Sequence, residues 1–378
     1  MDNLLSYSSS NLDVDRAIQE IAVHIHQKPQ LIIYFASTVY SFRQLDQAFQ
    51  KRYPTSQIVG VTTTGEIGTK GFNTKSLSVQ SYAMQFGKIE AVLMNDIEKY
   101  PIFERTKLTN AAKKVGIHVT SKQIEKEGLA YIFPVGLKAG EENMLSVVNS
   151  IFEHDGFSIF GGTAGDDAKF QETFVSVNGE ISSTGGAVIF MKPTADFYIY
   201  KENIFKSTNK QLKITKSSPE KRIVYEINGK KAANAYAEAL NVPVSKLTDH
   251  WFLHPLGRKF NEDFYNASPF TVHPDGSVEF YAQVYEGAVL EVLEPLPAVE
   301  QLTHTIEHFR NEFATLDGVL GINCILRKIQ FEKQNIYKPL NEQLAKLPNL
   351  CGFSSYGEQV NKSQLNQTLI LIGFGKRK

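Results

Sequence analysis

Apolar runs and helix-like stretches alternate along the chain in an order that recurs three times. Apolar runs at 31–36, 129–135 and 319–326 are each followed by a stretch of helical spacing, 41–53, 141–152 and 332–347. A second short apolar run follows, at 57–61, 157–160 and 350–353, and reads as a buried strand. One more helix-like stretch precedes each unit, at 14–27, 103–116 and 299–314, and strand-like runs come after, at 76–84, 186–191 and 368–374. Even spacing of this kind predicts an internal repeat. The expected fold class is therefore mixed α/β: two domains of mixed β-sheets covered by helices, built on a helix–strand–helix–strand–turn module used three times.

Each second run ends in the same short signature of a hydroxyl, a spacer, a glycine and an acid. The copies are Thr63-Thr64-Gly65-Glu66, Thr163-Ala164-Gly165-Asp166 and Ser355-Tyr356-Gly357-Glu358. From the start of the upstream run to the signature glycine the separations are 34, 36 and 38 residues (31 to 65, 129 to 165, 319 to 357). Glycine permits a positive φ and a close approach to the backbone, a hydroxyl donates or accepts, and a carboxylate can hold an ammonium group or a cation. Turns of this composition predict a small polar pocket, with Gly162 and Ser354 beside them as further lining. The plainer alternative is that each turn ends a strand and its acid serves local backbone groups.

The stretches 58–66, 160–167 and 351–358 together resemble the FIST sensory domain, whose N-terminal half would cover roughly 30–225 and C-terminal half 226–360. That resemblance implies a bacterial or archaeal module that senses a small ligand, proposed to be amino-acid-like, and that is coupled to signal transduction. A branch of the family, the NosP type, binds haem and senses nitric oxide. Val61-Thr62 stands where a small Cys-Ser-like pair is frequent in the family, which leaves the ligand open.

Other features bound the reading. The chain has 378 residues with 42% hydrophobic content, enough for a large core in two domains, expected as a lead-in at 1–29 and domains at 30–225 and 226–378. Forty basic residues balance forty acidic ones, which argues against a nucleic-acid footprint. No apolar run approaches the roughly 18 residues of a membrane helix, and no basic leader begins the chain, so a cytoplasmic protein without membrane insertion is expected. Two cysteines, Cys324 and Cys351, make no disulfide framework. A boundary is expected near 190–230, where Lys192-Pro193 ends a strand-like run and the polar stretch 206–220 follows; Asn228-Gly229 marks a turn, 231–240 a helix, and 260–294 a β-rich segment turning at Pro274-Asp275-Gly276. Because the third signature falls in the second domain of this linear division, a pocket using all three turns is expected between domains.

Two rivals to a ligand-sensing pocket remain open. A haem sensor needs an axial ligand, and His250 and His254 flank the bulky Trp251-Phe252-Leu253, although a core segment with satisfied histidines is the ordinary explanation. His24, His26, His304 and His308 lack the further ligands of a zinc site, so no metal and no required cofactor are expected. An acid cluster of Glu66, Asp166 and Glu358 could serve a hydrolase or transferase. Enzyme motifs are otherwise missing: Glu66 stands where a phosphate loop needs lysine, and no G-x-S-x-G is present. The expectation is a non-enzymatic sensor acting through a partner in trans, such as a histidine kinase or cyclase.

Overall fold

The computed structural model describes residues 2–260 and 263–378. The chain forms two compact units, the first from 1–201, 302–363 and 369–378, the second from 202–301 and 364–368. The second unit is thus an insertion within the third repeat, and the chain returns to the first unit after it. All three signature turns consequently belong to the first unit. The expectation set the third turn in the second domain of a linear division, whereas by this path it shares a compact unit with the other two.

The first unit carries three six-stranded sheets of one plan, with Asp196–Asn203 and Ser363–Leu365 running on into the second unit. One sheet runs Leu4–Ser9, Leu77–Tyr82, Leu31–Ala36, Gln57–Thr62, Val175–Val177, Glu180–Ser182. The next runs Gly87–Met94, Gly186–Pro193, Leu129–Pro134, Ser158–Gly162, Glu358–Val360, Ser363–Leu365. The last runs Asp196–Asn203, Thr368–Arg377, Phe313–Cys324, Leu350–Ser355, Glu66–Gly68, Gly71–Asn73. In each, the strand before the signature pairs in parallel with the strand upstream of it, Leu31 with Gln57, Leu129 with Ser158 and Val319 with Leu350. A helical crossover joins such strands, as a parallel pair requires.

The last two strands of every sheet come from another repeat. The hairpin after the first turn joins the third repeat's sheet, the hairpin after the second joins the first, and the hairpin after the third joins the second. The exchange is cyclic. Rings from the three sheets meet at the centre: Phe35 stacks on Phe353 at 4.8 Å, and Phe133 meets both edge-on at 5.8 and 6.1 Å.

Local sequence explains the crossover helices. Ser41 caps Phe42–Arg52 by accepting from the Gln44 amide, and Phe42, Leu45 and Phe49 recur on the buried face. The third crossover departs from the expected single helix at 332–347. The strand stops at Cys324, Ile325–Gln334 follows directly, and Asn335 in the left-handed region (φ 54°) separates it from Tyr337–Leu344. The units divide after Lys201, inside the expected boundary region, and the polar stretch there forms the long strand Phe205–Ser218, whose lysines face outward while Leu212 and Ile214 are buried. It sits mid-sheet, between Val289–Pro295 and Ile223–Ile227, over a core of Tyr236, Trp251, Ile227 and Val292.

Candidate functional site

The three turns are hydrogen-bonded to one another in a ring. From the first to the third, the Thr64 amide donates to the Ser354 carbonyl at 3.0 Å and the Ser354 amide to the Gly65 carbonyl at 2.7 Å. From the third to the second, the Tyr356 amide donates to the Thr163 carbonyl at 3.1 Å and the Thr163 amide to the Gly357 carbonyl at 2.9 Å. From the second to the first, the Gly165 amide donates to the Thr62 carbonyl at 2.9 Å and the Asp167 amide to the Thr63 carbonyl at 2.8 Å. The hydroxyls reinforce the ring: Thr64 Oγ1 donates to the Ser354 carbonyl at 2.7 Å, and Gln359 Nε2 donates to Thr163 Oγ1 at 2.8 Å.

Glycine is needed here for two distinct reasons. Gly65 has φ +141°, a conformation that side chains rarely adopt. Gly165 lies so close to the first turn that a Cβ would stand 2.3 Å from Thr64 Cγ2. Gly162, three residues earlier at the end of its strand, is a packing glycine whose added Cβ would meet Ile322 and Phe353. Ala164 is fully buried, its amide bonded to the Pro134 carbonyl.

The acids are engaged by internal donors, each differently. Glu66, fully buried, accepts from the Thr63 hydroxyl on one oxygen and from the Ser76 amide (3.0 Å) and hydroxyl (2.7 Å) on the other. Burial pushes its pKa up to about 7; the bonds from Thr63 and Ser76 oppose that shift and the charge of Asp167 adds to it. Glu358, equally buried, accepts from the Ser355 hydroxyl at 2.7 Å, the same hydroxyl-to-acid step of three residues. Asp166 instead accepts from the amides of Phe170 (3.0 Å), Gln171 (2.6 Å) and Glu172 (3.0 Å) and from the Tyr356 hydroxyl. Burial acts to raise Asp166, but these donors outweigh it and hold the carboxyl below the ordinary aspartate value.

Among the described residues the twelve signature positions are all buried except Tyr356 of the third turn, and the surface is reached beside it by 168–170, the loop that follows the second turn. Tyr356 is half-buried over Asp166, and Phe170, 53% exposed, stacks on it at 5.1 Å with rings 10° from parallel. On Tyr356's other neighbour, Gly136, an added Cβ would lie 2.9 Å from the tyrosine ring. The surrounding backbone is strained: Asp167, Ala168 and Phe170 all have φ between 54° and 61°, and Leu137 and Ala139 in the adjoining loop have φ 67° and 50°. Asp167 anchors the loop, one carboxylate oxygen accepting from the Ser37 hydroxyl (2.9 Å) and from the Thr38 amide (2.8 Å) and hydroxyl (2.6 Å). Ser76, Asp167, Phe170, Gln359 and the Ser37-Thr38 pair are members of this cluster that the repeat signature does not contain. The doubled acid Asp166-Asp167 is the one local signal that points toward them.

His250 and His254 belong to the second unit. His250 is exposed at the end of Leu247–His250. His254 is half-buried with Nδ1 on the Leu293 carbonyl at 3.1 Å. Trp251 and Phe252 pack into or against the hydrophobic core. Two of the bulky neighbours are thus engaged with the core, whereas Leu253 is exposed. Among the described residues no group of three or more His, Cys, Asp or Glu is placed to hold a metal ion, and no helix is long and apolar enough to cross a membrane. Cys351 is fully buried against the Ser78 hydroxyl at 3.3 Å, and burial pushes its thiol up to about 12.

The three turns thus form one interlocked ring on a three-repeat scaffold, with strained backbone in the loop that follows the second. Residues 30–230 match the FIST N domain and residues 232–361 the FIST C domain, and the chain belongs to the FIST family of sensory domains that bind small ligands. It is also similar to the uncharacterized protein MJ1623 of Methanocaldococcus jannaschii, at 21% identity over 365 residues, 88% of this chain and 70% of that protein.

Proposed function

We propose that this protein is a non-enzymatic cytoplasmic sensor whose small, amino-acid-like ligand binds at the second turn and whose output passes to a signalling protein in trans, such as a histidine kinase or cyclase. The observation that carries this reading is the position of Asp166. Its carboxylate is covered by the half-buried Tyr356 and holds a strained loop in place. A ligand ammonium would replace the Tyr356 hydroxyl on Asp166, a charge-assisted bond for a neutral donor. Displacing Tyr356 unstacks Phe170 and frees the positive-φ segment, so binding is coupled to a local change of conformation. The exposed Lys169, whose Nζ donates to Thr38 Oγ1 at 2.7 Å, is placed in the same loop to take the ligand carboxylate.

Calorimetry with a panel of free amino acids tests this. Asp166→Asn should weaken binding by about 1–3 kcal/mol, while Tyr356→Phe, which removes the competing hydroxyl, should tighten it. Unchanged affinity in folded Asp166→Asn sinks the assignment. Sensing of this kind needs no cofactor; a Soret band that shifts with nitric oxide and is altered in His254→Ala would revive the haem alternative. Nothing favours the hydrolase or transferase reading, because Glu66, Asp166 and Glu358 each serve donors of their own chain.

A further inference from the structure

The three repeats differ at one loop, the link between the exchanged hairpin and the strand that follows. In the first repeat this link is 74–76: Thr74 and Lys75 are exposed, Lys75 has φ 53°, and Ser76 binds the signature acid ten residues upstream. In the second repeat the corresponding Thr184 is again exposed. In the third repeat Gln367 occupies the Lys75 position with φ 55°, and Thr368 lies ten residues beyond Glu358 as Ser76 does beyond Glu66. Here Asn366 and Gln367 are each only 1% exposed.

The cause of that burial is a change of unit. The chain leaves the first unit after Ser363 and re-enters it at Leu369, and the five residues between belong to the second. Gln367 is gripped there through both ends of its amide: Oε1 accepts from the Ser268 hydroxyl at 2.7 Å and Nε2 donates to the Phe252 carbonyl at 2.9 Å. Ser268, itself 2% exposed, also directs its amide at Asn366 Oδ1 at 3.5 Å. A long polar side chain in a left-handed backbone conformation, buried where its two counterparts are solvated, costs free energy that only its bonds offset.

We propose that 364–368 is a tether through which the second unit sets the state of the third signature turn, with Gln367 as its positioning residue. Loss of the grip loosens the hairpin carrying Glu358, and by linkage any change in that hairpin alters the grip. The proposal goes beyond ligand binding at the second turn and stands or falls without it.

Native-state hydrogen exchange on the full chain provides the test, with no ligand present. Ser268→Ala and Gln367→Ala should each accelerate the amides of the third hairpin, 358–365, by about tenfold, the effect of one lost buried hydrogen bond on local opening. The hairpins 66–73 and 175–182 should keep their wild-type rates, and Lys75→Ala, the counterpart change, should move none of the three. Unchanged exchange in 358–365 in both variants overturns the proposal. So does equal acceleration of all three hairpins, which would mark a merely structural role; should Gln367→Ala not fold, Ser268→Ala alone decides.

Discussion

The first and second turns carry the same signature and use their acids in opposite ways. Glu66 is closed off from solvent and bound mainly by side chains, so burial wins and its proton is held up to about pH 7. Asp166 lies under a half-exposed tyrosine and is bound by three backbone amides, so donors win and the carboxylate form is favoured. A shared motif therefore does not imply a shared role. The number of main-chain donors aimed at the acid, set against its depth, decides which copy favours its protonated form and which its carboxylate.

That contrast can be broken at several points. The largest effect is expected from Glu66→Ala, which strands the Ser76 amide and the Thr63 and Ser76 hydroxyls in a new cavity and should cost about 4 kcal/mol in urea unfolding. Next is pH. Glu66 has a folded pKa near 7 against an ordinary value of 4.5, so its contribution is fully present below pH 4.5 and is lost as pH rises to 7. The loss should be about 3 kcal/mol and absent from Glu66→Gln, measured by unfolding midpoints across that window. Asp166 should show the reverse sign: its contribution holds above the ordinary aspartate value and fades as pH falls through the lowered one. Asp166→Asn should cost about 1–3 kcal/mol at pH 7 in the same assay. Phe170→Gly should be the smallest, neutral or stabilising by a few tenths of a kcal/mol, because relief of the φ 54° conformation offsets the lost ring stack.

The strand, helix, strand and turn of each repeat are readable in sequence because 31–36, 129–134 and 350–353 are apolar runs that a surface segment rarely carries. The hairpins after the turns are not, since strands of three residues such as Glu66–Gly68 and Val175–Val177 are too short for a period to emerge. Asn178-Gly179, with φ 51° and 94°, is the one hairpin cue in the letters, and it says nothing of which sheet the hairpin joins. The third crossover misleads for a related reason: Ile325 and Leu326 extend an apolar run, but they are the first turn of a helix. At the site, the pairing of hydroxyl and acid is visible, as Thr63 with Glu66 and Ser355 with Glu358, whereas the donors that distinguish the copies lie 4 to 190 residues from the acids they bind.

The cyclic exchange of hairpins also dictates when this protein can become itself. The first sheet lacks its last strands until residue 182 has been made, and the second until residue 365, whereas the third borrows strands from 66–73 that must wait for it. No repeat can mature as an independent foldon during synthesis, and the assembly depends on pairings of very high sequence separation. A nascent chain stopped before the third turn would carry unfilled sheet edges, the surfaces by which quality-control machinery and aggregation partners recognise an unfinished protein.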